Sequence, residues 1–154
     1  MGYRSNVVIA VAMESEENMK ELMSVYALNM YVQKHNLLPE WTVGVMNDVW
    51  VALFHQEDVK WYDTYPDVQG FEAIIPLVRS FAEERDMKYA YRRIRVGEEM
   101  DDVEIDCDEN EGVSEGLADF LADTLYVNRS IENELQLEPT NDNVSDTLTK
   151  KGTD

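Results

Sequence analysis

Residues Lys88–Val96 read KYAYRRIRV. Side-chain character alternates with a period of two, the mark of a β-strand whose two faces differ. Tyr89, Tyr91, Arg93 and Arg95 fall on one face, and Ala90, Ile94 and Val96 share the other with Arg92. Upstream, Tyr65-Pro66-Asp67 opens a helix in which Phe71, Ile74, Ile75, Leu77, Val78 and Phe81 mark the buried side. Pro76 within that run predicts a kink or a break unless a helix starts there. Val59–Tyr62 is either the end of a strand or a short strand of its own. Thr42–Met46 and Val49–Phe54 flank Asn47-Asp48, two residues that tolerate positive φ, and so predict a hairpin.

Tyr3–Met13 (YRSNVVIAVAM) is rich in Val, Ile and Ala and reads as a buried strand. Ser15 then caps a helix, with Glu16 and Glu17 suited to its positive start. Met19, Leu22, Met23, Val25, Tyr26 and Met30 recur at helical spacing to about His35, and Pro39 ends the connection. Downstream of the alternating strand, Val103–Cys107 predicts a shorter one that pairs back across the acidic turn Gly97–Asp102. A last helix is expected over about Val113–Leu135, with Leu117, Phe120, Leu121, Leu125 and Ile131 facing in. From 137 onward the chain is polar and aperiodic.

Strand, helix, strand, strand, helix, strand is the order of two split βαβ units. The expected class is therefore α+β: a ferredoxin-like βαββαβ antiparallel sheet with helices on one face, plus an extra hairpin strand and an acidic C-terminal helix. One domain is expected over 1–136 and a disordered tail over 137–154.

With 154 residues, 44% apolar and 10% aromatic, the chain can bury a core unaided. Met1–Met13 lacks the charged-then-apolar pattern of a signal peptide, and no stretch approaches the ~20 apolar residues of a membrane-spanning helix. The one cysteine, Cys107, permits no internal disulfide, which suits a reducing cytosol. His35, His55 and Cys107 form no zinc spacing.

Acidic side chains outnumber basic ones 32 to 13, a formal net charge of −19. That excess argues against direct binding to nucleic acid or an anionic membrane. It is also unevenly placed. Residues 1–97 carry a net −4 and residues 98–154 a net −15. Twelve acids run through the stretch Glu98, Glu99, Asp101, Asp102, Glu104, Asp106, Asp108, Glu109, Glu111, Glu115, Asp119 and Asp123 with no Lys, Arg or His between them.

The segments Met1-Gly2-Tyr3-Arg4-Ser5, Val59–Gln69 (VKWYDTYPDVQ) and Tyr89–Asp102 (YAYRRIRVGEEMDD) resemble a group of small bacteriophage proteins with the same GYRS start and a similar VKWY…YPDV segment. The resemblance spans roughly residues 1–105. It implies a phage origin and a bacterial cytoplasm as workplace, and it carries over no catalytic residue.

Glu115, Asp119 and Asp123 stand at i, i+4 and i+8 and form one helical stripe, a spacing at which like charges weaken a helix. Four helical residues rise about 6 Å, whereas one DNA strand advances about 3.4 Å per phosphate. The stripe alone therefore has about half the charge density of a strand, and Glu98–Glu111 must lie alongside to complete an imitation. The leading expectation is a phage inhibitor that mimics nucleic acid and occupies the basic groove of a host defence or DNA-processing protein. Simple solvation of charged faces is the bland alternative.

Asp106-x-Asp108-x-Asn110 opens like an EF-hand loop but has Glu111 and Leu117 where that loop needs Gly and Glu. The face bearing Tyr89, Tyr91, Arg93 and Arg95, with Trp50 or Trp61, is an alternative anchor for a partner protein or a second copy. Pairing of its arginines with the surplus carboxylates is the favoured expectation. His55, Glu57, Asp58 and Asp63 would make an acid–base cluster only if the fold brought them together, and Cys107, between two aspartates, is a poor nucleophile. No serine-nucleophile elbow or phosphate-cradling glycine loop is present. The chain reads as a non-enzyme that needs no cofactor or metal.

Overall fold

A computed structural model describes residues 2–99, 101–110 and 115–139. The chain is a mixed α+β protein built on a six-stranded, wholly antiparallel sheet. Strand β1 (Ser5–Met13) runs through its middle, between β3 (Val49–Val59) and β4 (Ala90–Val96). Beyond β3 lies β2 (Thr42–Met46), and beyond β4 lies β5 (Val103–Glu109).

Every residue from Val7 to Met13 is fully buried. Alternation sends Val7, Ile9, Val11 and Met13 to one face of the sheet and Val8, Ala10 and Ala12 to the other, each into its own core. The first core lies under helices α1 (Glu16–Tyr26), α3 (Pro66–Glu72) and α4 (Ile74–Arg85), which contribute Met19, Leu22, Tyr26, Phe71, Ile74, Val78 and Phe81. The second is closed by α5 (Glu115–Thr124) and the hairpin β6 (Leu125–Asn128)–β7 (Ser130–Asn133). The helices expected on one face are α1, α3 and α4, and the additional helix α5 packs on the opposite face, because β1 has apolar side chains to cover on both.

Local signals explain most element ends. Ser15 caps α1 by accepting from the Asn18 amide. Asn47 and Asp48 take φ of 53° and 65°, the two positive values of a tight hairpin turn between β2 and β3. Helices α3 and α4 meet at Ala73, and Pro76 sits in the first turn of α4, where a missing N–H costs nothing. Strand β3 continues to Val59, which leaves Lys60–Tyr62 as connection.

Three expectations are corrected. The helix predicted from Ser15 to His35 ends at Tyr26, because Asn29 accepts from the Tyr31 and Val32 amides and caps a separate α2 (Met30–Lys34). Met30, placed by spacing on the buried side, is 67% exposed. The last helix stops at Thr124 rather than near Leu135. Leu125 and Ile131 still enter the core, but from a hairpin turning at Arg129 (φ 72°). Glu138–Pro139 pairs with β2 as β8, so the chain is still in the sheet where a tail was expected; residues 140–154 lie outside the described residues.

Gly70 lets α3 approach α2 and the chain that follows it, since a Cβ there would lie 3.1 Å from Tyr31 Cβ and 2.4 Å from Leu37 Cδ1. The carbonyl of Gly70 accepts from the buried Tyr26 hydroxyl (2.8 Å), which itself accepts from Trp41 Nε1 (3.1 Å). Burial keeps that hydroxyl protonated well above the usual tyrosine range. Tyr26→Phe strands both partners and should cost about 1–3 kcal/mol. Urea unfolding checks this, and Gly70→Ala should cost a similar amount through overpacking, about 1–3 kcal/mol.

Candidate functional site

The site grows out of the pairing of β4 with β5. In register, Tyr91 faces Asp108, Arg93 faces Asp106 and Arg95 faces Glu104. All six point to the side of the sheet covered by α1, α3 and α4, which places a tyrosine and two arginines beside a row of carboxylates. Arg95 Nη2 bonds Asp102 at 2.7 Å and Glu104 at 2.8 Å. Arg93 bonds Glu72 of α3 at 2.6 Å and Glu104 at 3.2 Å. Arg79 of α4 bonds Asp108 at 3.2 Å and donates to the Tyr91 hydroxyl at 2.8 Å. The Arg93 and Arg95 side chains are only 14% and 12% exposed, so these pairs are sheltered more than ordinary surface bridges.

At the Asp102 end the ladder opens into a cleft of about 370 Å³. Tyr3 donates its hydroxyl to Asp102 (2.6 Å), and its own amide donates to the Tyr62 hydroxyl (2.6 Å). Ser5 Oγ accepts from Arg95, and Trp61 Nε1 donates to Glu72 (3.0 Å). Gly97 makes room for this closure: a Cβ would fall 2.1 Å from Asp102 Oδ2 and 2.3 Å from the Tyr3 hydroxyl. Three segments distant in sequence thus meet around one cleft, which Tyr3, Trp61, Tyr62, Arg93, Arg95 and Asp102 line.

The electrostatics follow from these contacts. Hydrogen bonds from Arg95, then from Tyr3, hold the Asp102 carboxyl below the usual range. Bonds from Arg95 and then Arg93 do the same for Glu104. Burial, assisted by Asp106, pushes the Tyr91 hydroxyl up to about 12. The ladder therefore holds its charges fixed at neutral pH, and none of these groups is poised for proton transfer.

The twelve acids do not form one unpaired surface. Asp102, Glu104 and Asp108 pair with arginines, while Asp106 accepts from the Tyr91 hydroxyl at 3.3 Å. Glu98 accepts from the Arg4 amide. Glu99, Asp101, Asp119 and Asp123 are exposed, and Glu109 is half-buried at the end of β5. Glu115 opens α5, and Glu111 lies outside the described residues. Helix α5 does lie beside β5: Cys107, Asp108 and Glu109 share a second cleft, of about 300 Å³, with Ala118, Asp119 and Ala122.

The alternative partner face is corrected. Tyr89 and Tyr91 are 5% and 1% exposed, because α4 lies over that side of the sheet. Trp50 packs against the same core, and Trp61 stacks on Phe71 at 5.9 Å. Arg93 and Arg95 are committed to carboxylates. His55 is separated from Asp63: it sits on the opposite face, 3.5 Å from the Asn133 amide, with a buried Nε2 that has no partner among the described residues. No acid–base cluster results, and no three potential metal ligands converge among the described residues.

Sequence reasoning missed Tyr3, Glu72 and Arg79. Tyr3 and Asp102 are 99 residues apart, and no local pattern links them. The alternation of Arg93 and Arg95 against Glu104 and Asp106 was the available signal for the ladder. No protein-family model matches the chain, and no curated protein matches it.

The lowered carboxyls have a definite sign. Their contribution to stability is complete above the ordinary carboxylate range, at about pH 4, and is lost as pH falls through the lower folded-state values. Urea unfolding measured across acid pH should therefore show a decline that Asp102→Asn and Glu104→Gln flatten. An unchanged acid limb in the double variant would show that the ladder carries no such linkage.

Proposed function

We propose that the chain is a non-enzymatic phage inhibitor that works in the bacterial cytoplasm. In this reading its acidic edge imitates nucleic acid and engages the basic groove of a host defence or DNA-processing protein. The order β4-β1-β3-β2 within the sheet supports a ferredoxin-like scaffold for that edge, with β5 and β8 added at its two sides. No helix among the described residues is long and apolar enough to cross a membrane.

The observation that carries this reading is the position of α5 beside β5 at one edge of the sheet. Helical charge alone is too sparse to match a phosphate backbone. With β5 alongside, carboxylates from the 98–102 turn, the strand and the helix gather at one edge of the sheet, those of the strand on the α4 face and those of the helix on the opposite face. Arg79, Arg93 and Arg95 offset part of that charge, and they also hold the ladder's carboxylates in place. Glu99, Asp101, Asp119 and Asp123 remain exposed for a cationic partner.

Affinity capture from bacterial lysate tests this. A basic nucleic-acid-binding protein should be retained at about 50 mM salt, released by about 500 mM and displaced by duplex DNA. Asp101→Lys, Asp119→Lys and Asp123→Lys together leave the ladder intact and should weaken capture about tenfold or more. Capture that resists salt, DNA and this triple reversal would defeat the reading.

A further inference from the structure

We infer that the outer edge of β5 is a docking site for an extended, basic segment of a partner protein, which joins the sheet antiparallel to β5. The inference shares with the proposed function a cationic partner, but it needs no imitation of nucleic acid.

Strand β5 ends the sheet, and among the described residues only β4 pairs with it. Its hydrogen-bonding phase follows from two bonds at its ends. The Gly97 amide donates to the Asp102 carbonyl at 2.8 Å, and the Asn110 amide donates to the Tyr89 carbonyl at 3.3 Å. In an antiparallel ladder the bonded pairs alternate, so Glu104, Asp106 and Asp108 direct their backbone groups to β4. The amides and carbonyls of Ile105 and Cys107 therefore point away from the sheet, as does the Val103 carbonyl, while the Val103 amide donates to the Asp101 carbonyl at 3.1 Å. That is a preformed template for one more strand.

The side chains specify what kind of strand. On the α5 side, Val103 and Ile105 are 37% and 48% exposed, because α5 reaches only the Cys107–Glu109 end. On the other side, Glu104 and Asp108 keep side-chain exposures of 51% and 43% despite their arginine partners. A guest strand that alternates apolar with Lys or Arg residues would set its apolar side chains beside Val103 and Ile105. Its cations would then lie beside Glu104, Asp106 and Asp108. A second copy of β5 fits poorly, since antiparallel self-pairing brings carboxylates opposite carboxylates.

The test uses the full chain and a capped heptapeptide of alternating valine and lysine. In an antiparallel guest the valines lie opposite Val103 and Ile105 and turn their amides to β5, while the lysine amides face solvent. Fluorescence polarisation should show binding by the parent peptide and by its N-methyl-lysine form. The N-methyl-valine form and a shuffled peptide should bind about tenfold more weakly or worse. At saturation, amide exchange should slow at Ile105 and Cys107 and stay unchanged at Glu104, Asp106 and Asp108.

Equal binding of all four peptides would mean charge attraction alone and would overturn the inference. So would unprotected amides at Ile105 and Cys107. Protection of those amides at high protein concentration without peptide would make a second copy the occupant, which also overturns it. A chain that binds the parent peptide in this pattern yet is not displaced from its host target by DNA keeps this inference and loses the imitation of nucleic acid.

Discussion

The rest of the structure depends on the burial of β1 on both faces. Seven consecutive residues, Val7 to Met13, are fully buried, and the strand is hydrogen-bonded on both sides as well. A strand apolar on both sides needs two covers. The first, α1, α3 and α4, arises from the two crossovers that bring β2, β3 and β4 into place. The second has to come from later in the chain. Val8, Ala10 and Ala12 are small, so Leu117, Leu121, Leu125 and Ile131 supply the bulk of that layer. Residues 115–137 are thus part of the fold rather than an appendage to it.

Strand β5 is held in a different way. Five of its seven residues are exposed, so apolar burial contributes little to its attachment. Backbone pairing with β4 and the arginine–carboxylate ladder hold it in register. In a chain of net charge −19, a strand carrying Arg92, Arg93 and Arg95 gathers scarce cations at one place. Arg93 and Arg95 serve β5, and Arg92 turns to the other face to donate to the Leu125 carbonyl at 2.8 Å. The same carboxylates that make this edge electronegative are those that hold it to the molecule. Surface charge and edge architecture are one feature here.

Local signals made much of the fold legible. Ser15, Asn47-Asp48 and the alternation of Lys88–Val96 each act within a few residues, through a cap, a turn or a pleat. The errors share a cause. Met30 continued the spacing of Met23 and Tyr26, but Asn29 captured two amides and started a new helix axis. Leu125 and Ile131 continued the spacing of Leu117 and Leu121, but the chain reached the same core through a hairpin. Apolar spacing reports which residues face a core, and it reports less about the backbone that brings them there.

The site divides along the same line. From the sequence alone came the location of the surplus charge, the two unlike faces of the strand at Lys88–Val96, and the residues able to pair across it. Those properties reside in composition and in the period-two geometry of a strand. Tertiary structure alone decided that α4 covers Tyr89 and Tyr91, that Asp102 meets Tyr3, and that Glu104 is shared by two arginines while Asp119 and Asp123 stay exposed. The physical reason is that periodicity assigns residues to a face, whereas what lies over that face depends on chain crossovers and on contacts nearly a hundred residues apart.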